Sequence, residues 1–178
     1  MEDRDKLLQE AYRLGFEYER TFRGCSQCVI AAIQDTIGIK EDSVFKSATG
    51  FAGGIGLSGI GPCGAFSGGV MVLSHLVGRE RSNFSDPERI RFKCFDVSKK
   101  LLDKFVAEFG TIVCRDIQCR IFGRPYYLRD PDEFKKFHDA GAHDEKCPDV
   151  VGKAVRMAVE LIMDQGLLDI FAAKGTTA

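Results

Sequence analysis

Seven cysteines stand in this 178-residue chain, at positions 25, 28, 63, 94, 114, 119 and 147. The count is odd, so one chain cannot pair them all. In a reducing compartment cysteines serve more often as ligands or redox thiols than as structural disulfides. Three of them share a context: Cys25 follows Gly24, Cys63 follows Pro62, and Cys147 precedes Pro148. Each reads as a helix N-terminus, where unpaired N–H groups and the positive end of the helix dipole favour a thiolate over a thiol. Cys114 joins them, approached by Thr111-Ile112-Val113 and followed by Arg115. A thiolate is the nucleophile of thiol chemistry and the form that binds soft metals. Four of them predict either a tetrahedral metal or iron–sulfur site or pairs that cycle between dithiol and disulfide.

The other candidates carry weaker signals. Cys25-Ser-Gln-Cys28 is a CxxC without the preceding strand that a thioredoxin motif needs and without the second CxxC of a zinc ribbon. Cys28 therefore reads as the core-facing neighbour of Cys25. Cys94 falls on an apolar helical stripe and reads as a small buried hydrophobe. Cys119 points about 140° away from Cys114 on a helix. His75 is the one candidate proton partner, and His138 and His143 are expected on the surface. Gly54-Ile-Gly56-Leu-Ser-Gly59 matches GxGxxG, but no strand precedes it, so no nucleotide is expected. No GK[ST] follows it, and no CxxCH for covalent haem occurs.

The elements that must position these thiols are helical. Residues 1–20 form an amphipathic helix with Leu7, Ala11, Leu14 and Tyr18 on one stripe. A second helix opens at Cys25 and stops at Gly38. A third spans 42–52, capped by Asp42 or Ser43. The run from Gly50 to Gly69, GFAGGIGLSGIGPCGAFSGG, holds nine glycines and leads into a central buried helix apolar nearly all round. Asp86-Pro87 is the expected start of the next long helix, followed by a short one carrying Cys114 and Cys119. Residues 124–147 read as polar and irregular with a short helix at 132–140, Cys147 opens the last helix, and 170–178 is expected to be a loose tail. No strand period is sustained. The fold class is all-α, one domain over 1–178, a bundle of about six to eight helices around a Gly-rich central loop.

Composition sets the remaining bounds. Lys and Arg number 25 against 26 Asp and Glu, which argues against a nucleic-acid surface. No apolar run approaches the ~20 residues of a membrane span, and no signal peptide is read at the N-terminus, so a cytoplasmic protein is expected. The apolar helix after Cys63 is long enough to pack within one subunit or in a homodimer.

Cys25, then Cys63-Gly64-Ala65-Phe66-Ser67-Gly68, then Cys114, then Cys147 resembles the bacterial and archaeal family named for its C–GCAxxG–C–C motif and described as redox-active. The likeness runs from about residue 15 to 162, with Pro62 where the family usually has glycine. It is also similar to the non-haem part of the split-Soret cytochromes, which contain an iron–sulfur centre. The resemblance implies a helical redox protein, an oxidoreductase or an electron carrier with an unknown redox partner. Its site residues would be Cys25, Cys63, Cys114 and Cys147, with the backbone of Gly61 and Gly64 beside the cofactor. An iron–sulfur cluster or thiol–disulfide cycling is the leading expectation. The alternatives are a structural zinc site in an interaction protein and a helical protein whose cysteines are mostly structural.

Overall fold

The first helix, α1 (Glu2–Phe22), packs through its small residues. Its buried line is Leu8, Ala11, Gly15 and Glu19, while Leu7, Leu14 and Tyr18 flank it half-buried. The reason is a close approach to α8 (Cys147–Asp164). A Cβ on Gly15 would lie 2.7 Å from Val155 Cγ2, and one on Gly152 would lie 2.8 Å from the Tyr12 carbonyl oxygen. Glycine on both faces sets the rotation of α1, which differs from the stripe that apolar spacing predicts and turns Glu19 inward.

The computed structural model describes residues 2–175. Among them are nine α-helices and no strand, an all-α single domain. Helix α2 (Cys25–Ile37) lies between Gly24 and Gly38, both left-handed. Helix α3 (Asp42–Ser47) is capped by Glu41, whose carboxylate accepts the Ser43 N–H; the expected 42–52 helix breaks after Ser47 into a separate 3-10 turn at Thr49–Phe51. Helix α4 (Gly64–Val77) follows the Gly-rich loop. Helix α5 (Ile90–Phe109) starts later than Asp86-Pro87 predicts. Asp86 takes a positive φ of 54° and caps from outside, its carboxylate accepting the N–H groups of Ile90 and Arg91. Helix α6 is Cys114–Phe122 and α7 is Pro131–Asp139. Helix α9 (Leu167–Gly175) covers the first part of the expected tail, and residues 176–178 lie outside the described residues.

Helices α4 and α8 are the centre. Helix α8 packs against α1, α2, α4 and α5, and α4 against α2, α5, α8 and α9. Phe105, Ile30, Leu73, Leu101, Val155 and Ile162 are among the fully buried side chains between them. A second, smaller cluster forms where the chain reads as irregular. Leu128, Phe137 and Ala142 pack with Phe122, Tyr126 and Phe134 over Leu57 and Cys147. The aromatics between Phe122 and Phe137 converge once α7 folds back. The segment roofs one end of the bundle, and a cavity lies between roof and core.

Candidate functional site

The loop from Gly50 to Pro62 holds an unusual backbone. Five consecutive residues, Gly53 to Leu57, have positive φ, including Ile55 at 67° and Leu57 at 63°. A side chain there costs about 1–2 kcal/mol per residue, so the surroundings must impose it. Hydrogen bonds from Gly56 N–H to Gly50, Gly59 N–H to Gly53 and Gly61 N–H to Gly54 close the loop at 2.8–3.0 Å. The loop then pairs with the segment before α6 as an isolated bridge between Pro62 and Val113. Cys63 N–H donates to Ile112 at 2.6 Å, and Cys114 N–H to Gly61 at 3.0 Å. Thus Cys63 and Cys114, far apart in the chain, are fixed side by side. Gly54 and Gly64 tighten the arrangement: a Cβ on Gly54 would lie 2.8 Å from Cys114 Cβ, and one on Gly64 would lie 2.4 Å from Cys25 Sγ.

Cys25, Cys63, Cys114 and Cys147 all line one cavity of about 220 Å³. Cys25 is the first residue of α2, Cys63 the N-cap of α4, and Cys114 the first residue of α6. Cys147 begins α8 but not at a free terminus. A π-helical turn, Ala142–Lys146, runs straight into it, and the Cys147 N–H bonds to Ala142. The rest of the wall is largely apolar, with Ile117, Val150 and Val151 from the core and Leu57, Phe122 and Phe134 from the roof.

The thiols do not behave as helix N-termini alone predict. Burial pushes Cys63 and Cys114 up to about 12, and pushes Cys25 and Cys147 well above the usual thiol range. The neighbouring cysteines raise them further, as does Glu19 for Cys25, Cys63 and Cys147. Backbone amides other than those of Gly61 and Gly64 reach two of the sulfurs: the N–H groups of Gly53 and Ser26 serve Cys25, and those of Ala65 and Phe66 serve Cys63. They pull downward, but loss of water outweighs them. A cation bound in the cavity would supply the charge that favours the thiolates.

All seven cysteines are free. Among the described residues no three His, Cys, Asp or Glu side chains stand close enough to hold one metal ion. Cys28 is buried beside the site, its thiol donating to the Arg23 carbonyl at 3.1 Å. Cys94 is in the core of α5, near Ser74, and Cys119 is exposed. His75 lies away from the cavity in the last turn of α4, against the Phe171 ring. The Gly61 N–H is engaged by Gly54 within the loop.

Three cavity residues carry no clear sequence signal. Glu19 is 4% exposed, and burial raises its carboxyl to about 7. Gln118 is buried; its Nε2 lies 3.5 Å from Cys114 Sγ and its Oε1 accepts the Tyr126 N–H at 2.8 Å. His143, expected on the surface, is buried in the π-helical turn with its Nδ1 3.3 Å from that of His138. Burial lowers it to about 4, so it is neutral near pH 7. Only a four-residue offset from Cys147 hinted that His143 shares its end of the helix.

The family model described as "Putative redox-active protein (C_GCAxxG_C_C)" matches residues 24–161. No curated protein and no solved structure matches the chain. No helix among the described residues is long and apolar enough to cross a membrane.

Proposed function

The chain belongs to the redox-active C_GCAxxG_C_C family, and from the convergence of its four motif cysteines on one cavity we propose that it is an electron-transfer protein in which Cys25, Cys63, Cys114 and Cys147 hold an iron–sulfur cluster. The donor set fits: four soft sulfur ligands and no competing oxygen cage. The space fits as well, since a cavity of about 150 Å³ already admits benzene and this one is about 220 Å³. A cluster is preferred to zinc because the family is described as redox-active and zinc has no redox chemistry.

Such a cluster accepts and releases single electrons. The protein's own contribution is to shape its surroundings. Ala65 and Phe66 N–H donate to the Cys63 sulfur, Gly53 and Ser26 N–H to that of Cys25, and Gln118 Nε2 reaches Cys114. Hydrogen bonds to ligand sulfur stabilise the more negative state and raise the potential. Leu57, Phe122 and Phe134 give the cavity an apolar wall on the roof side. The redox partner is a one-electron donor or acceptor.

A second reading has one observation in its favour. The Cys25 sulfur is so near Gly64 that it adjoins the chain next to Cys63. In this reading the two thiols form a disulfide, giving two electrons and two protons to a disulfide-type acceptor.

The test is anaerobic purification, with the visible spectrum and iron, sulfide and zinc assays on one sample. The cluster reading expects a coloured protein with iron and sulfide, lost in Cys63→Ser and kept in Cys119→Ser. A colourless, metal-free protein after anaerobic reconstitution with iron and sulfide overturns it. A disulfide linking Cys25 and Cys63 by peptide mapping would then support the second reading.

A further inference from the structure

Among the described residues one buried side-chain oxygen has no hydrogen-bond partner, and its residue lines this cavity. Glu19 lies on the inward face of α1, and its Oε2 is buried without a hydrogen-bond partner. Its neighbours on that face, Leu8, Ala11 and Gly15, are small or apolar, so packing does not call for a carboxylate there. Its side chain lines the same cavity as the four cysteines. A buried carboxylate oxygen with no donor is costly, and such exceptions point to a group that changes state in use.

The groups that face it come from every element around the cavity. Arg23 follows α1; Cys25 and Cys28 come from α2, Cys63 from the start of α4, and Cys147 from α8. Cys114 and His143 line the same space. Arg23 is the one cation among them. Cys28, which is outside the four-cysteine set, stands beside Glu19, with its own S–H directed at the Arg23 carbonyl.

We propose that Glu19 is the proton carrier of the four-cysteine site: its carboxylate takes up one proton from solvent when the site gains one electron from a one-electron donor protein, and releases that proton when the electron leaves. This rests on the electron-transfer reading above. In a water-poor cavity an added electron beside an ionised carboxylate is strongly unfavourable. Protonating Glu19 keeps the summed charge of the cavity constant. Burial raises the carboxyl, and the negative charge added on reduction pushes it in the same direction.

The experiment is an anaerobic potentiometric titration of the holoprotein, wild type and Glu19→Gln, at pH values on both sides of 7. The wild type is expected to fall by about 59 mV per pH unit over part of that range, the tenfold proton activity converted for one electron. The Gln variant is expected to be flat there. Redox-difference infrared spectra of the wild type provide a second readout. A protonated-carboxyl band that shifts in D2O should appear on reduction, and its absence refutes the proposal even if the variant fails to load. A wild-type slope retained in Glu19→Gln refutes this proposal alone. A wild type without any one-electron couple refutes the electron-transfer reading and this one with it.

Discussion

At Gly64 the helix carrying Cys63 meets Cys25, and an alanine there tests that contact directly. An added Cβ would lie 2.4 Å from Cys25 Sγ, 3.0 Å from the Ser26 nitrogen and 3.2 Å from the Phe51 oxygen. Non-bonded carbon contacts normally sit at about 3.5–4.0 Å, so the sulfur has to retreat by roughly 1 Å and the Ser26 backbone by a few tenths. The sulfur can swing about its single torsion, but it then leaves the N–H groups of Gly53 and Ser26. Replacing a helical glycine by alanine otherwise gains about 1 kcal/mol. Overpacking costs about 1–3 kcal/mol, and each lost hydrogen bond about 1 kcal/mol. The sum is a net loss of about 2–4 kcal/mol, together with a displaced Cys25. Gly56 is the control, with φ of 56° and nothing within 4 Å of an added Cβ. There alanine meets only backbone strain of about 1 kcal/mol, and the thiols stay in place. Urea unfolding of both variants gives the stabilities, and iron content with the visible spectrum gives the site. A Gly64→Ala protein more stable than wild type, with full iron and unchanged alkylation of Cys25, would refute the claimed contact.

Further outcomes follow from individual contacts. Gln118→Leu leaves the Tyr126 N–H without its acceptor and Cys114 without its donor, an expected loss of about 1–3 kcal/mol in urea unfolding. In Gly68→Ala the new Cβ would stand 2.4 Å from the Ser26 carbonyl oxygen, so α2 and α4 separate and the urea midpoint falls by a similar amount. Stability of the reduced, metal-free protein should depend on pH from both sides. Glu19, raised from 4.5 to about 7, gives a contribution present below pH 4.5 and lost as pH rises through 7; Glu19→Gln should abolish that loss of about 3 kcal/mol. His143, lowered from 6.5 to about 4, gives a contribution of similar size that is present above pH 6.5 and lost as pH falls through 4, measurable as a falling Tm that His143→Phe should flatten.

Much of the local structure was legible because its causes are local. Gly38 stops α2 by adopting a positive φ that other residues resist. Cys94 follows the apolar spacing of α5 into the core. The start of α5 was misplaced because Asp86 caps it from outside the helix, with its own φ positive, so the cap-plus-proline pattern marked the turn rather than the first helical residue. In the rotation α1 adopts, the stripe that spacing predicts meets the core through Ala11, with Leu7, Leu14 and Tyr18 at its edge, while the buried line runs through Leu8, Gly15 and Glu19. Apolar spacing ranks Leu and Tyr as the buried side chains, yet Gly15 meeting Gly152 allows a closer approach than any leucine. That rotation buries Glu19.

By itself the sequence determined which thiols head which helices, that glycines let Cys63 approach its neighbours, and which family motif they compose. These depend on residues adjacent in the chain. Tertiary structure alone decided that the wall of the cavity lined by Cys25, Cys63, Cys114 and Cys147 includes Glu19, Gln118 and His143. It also decided that burial pulls the sulfurs toward the thiol form, against the pull of the helix termini. A helix terminus supplies its N–H groups from a few consecutive residues. Desolvation is a sum over every segment that encloses the sulfur, from α1 to the roof around Phe137, and no stretch of sequence contains that sum.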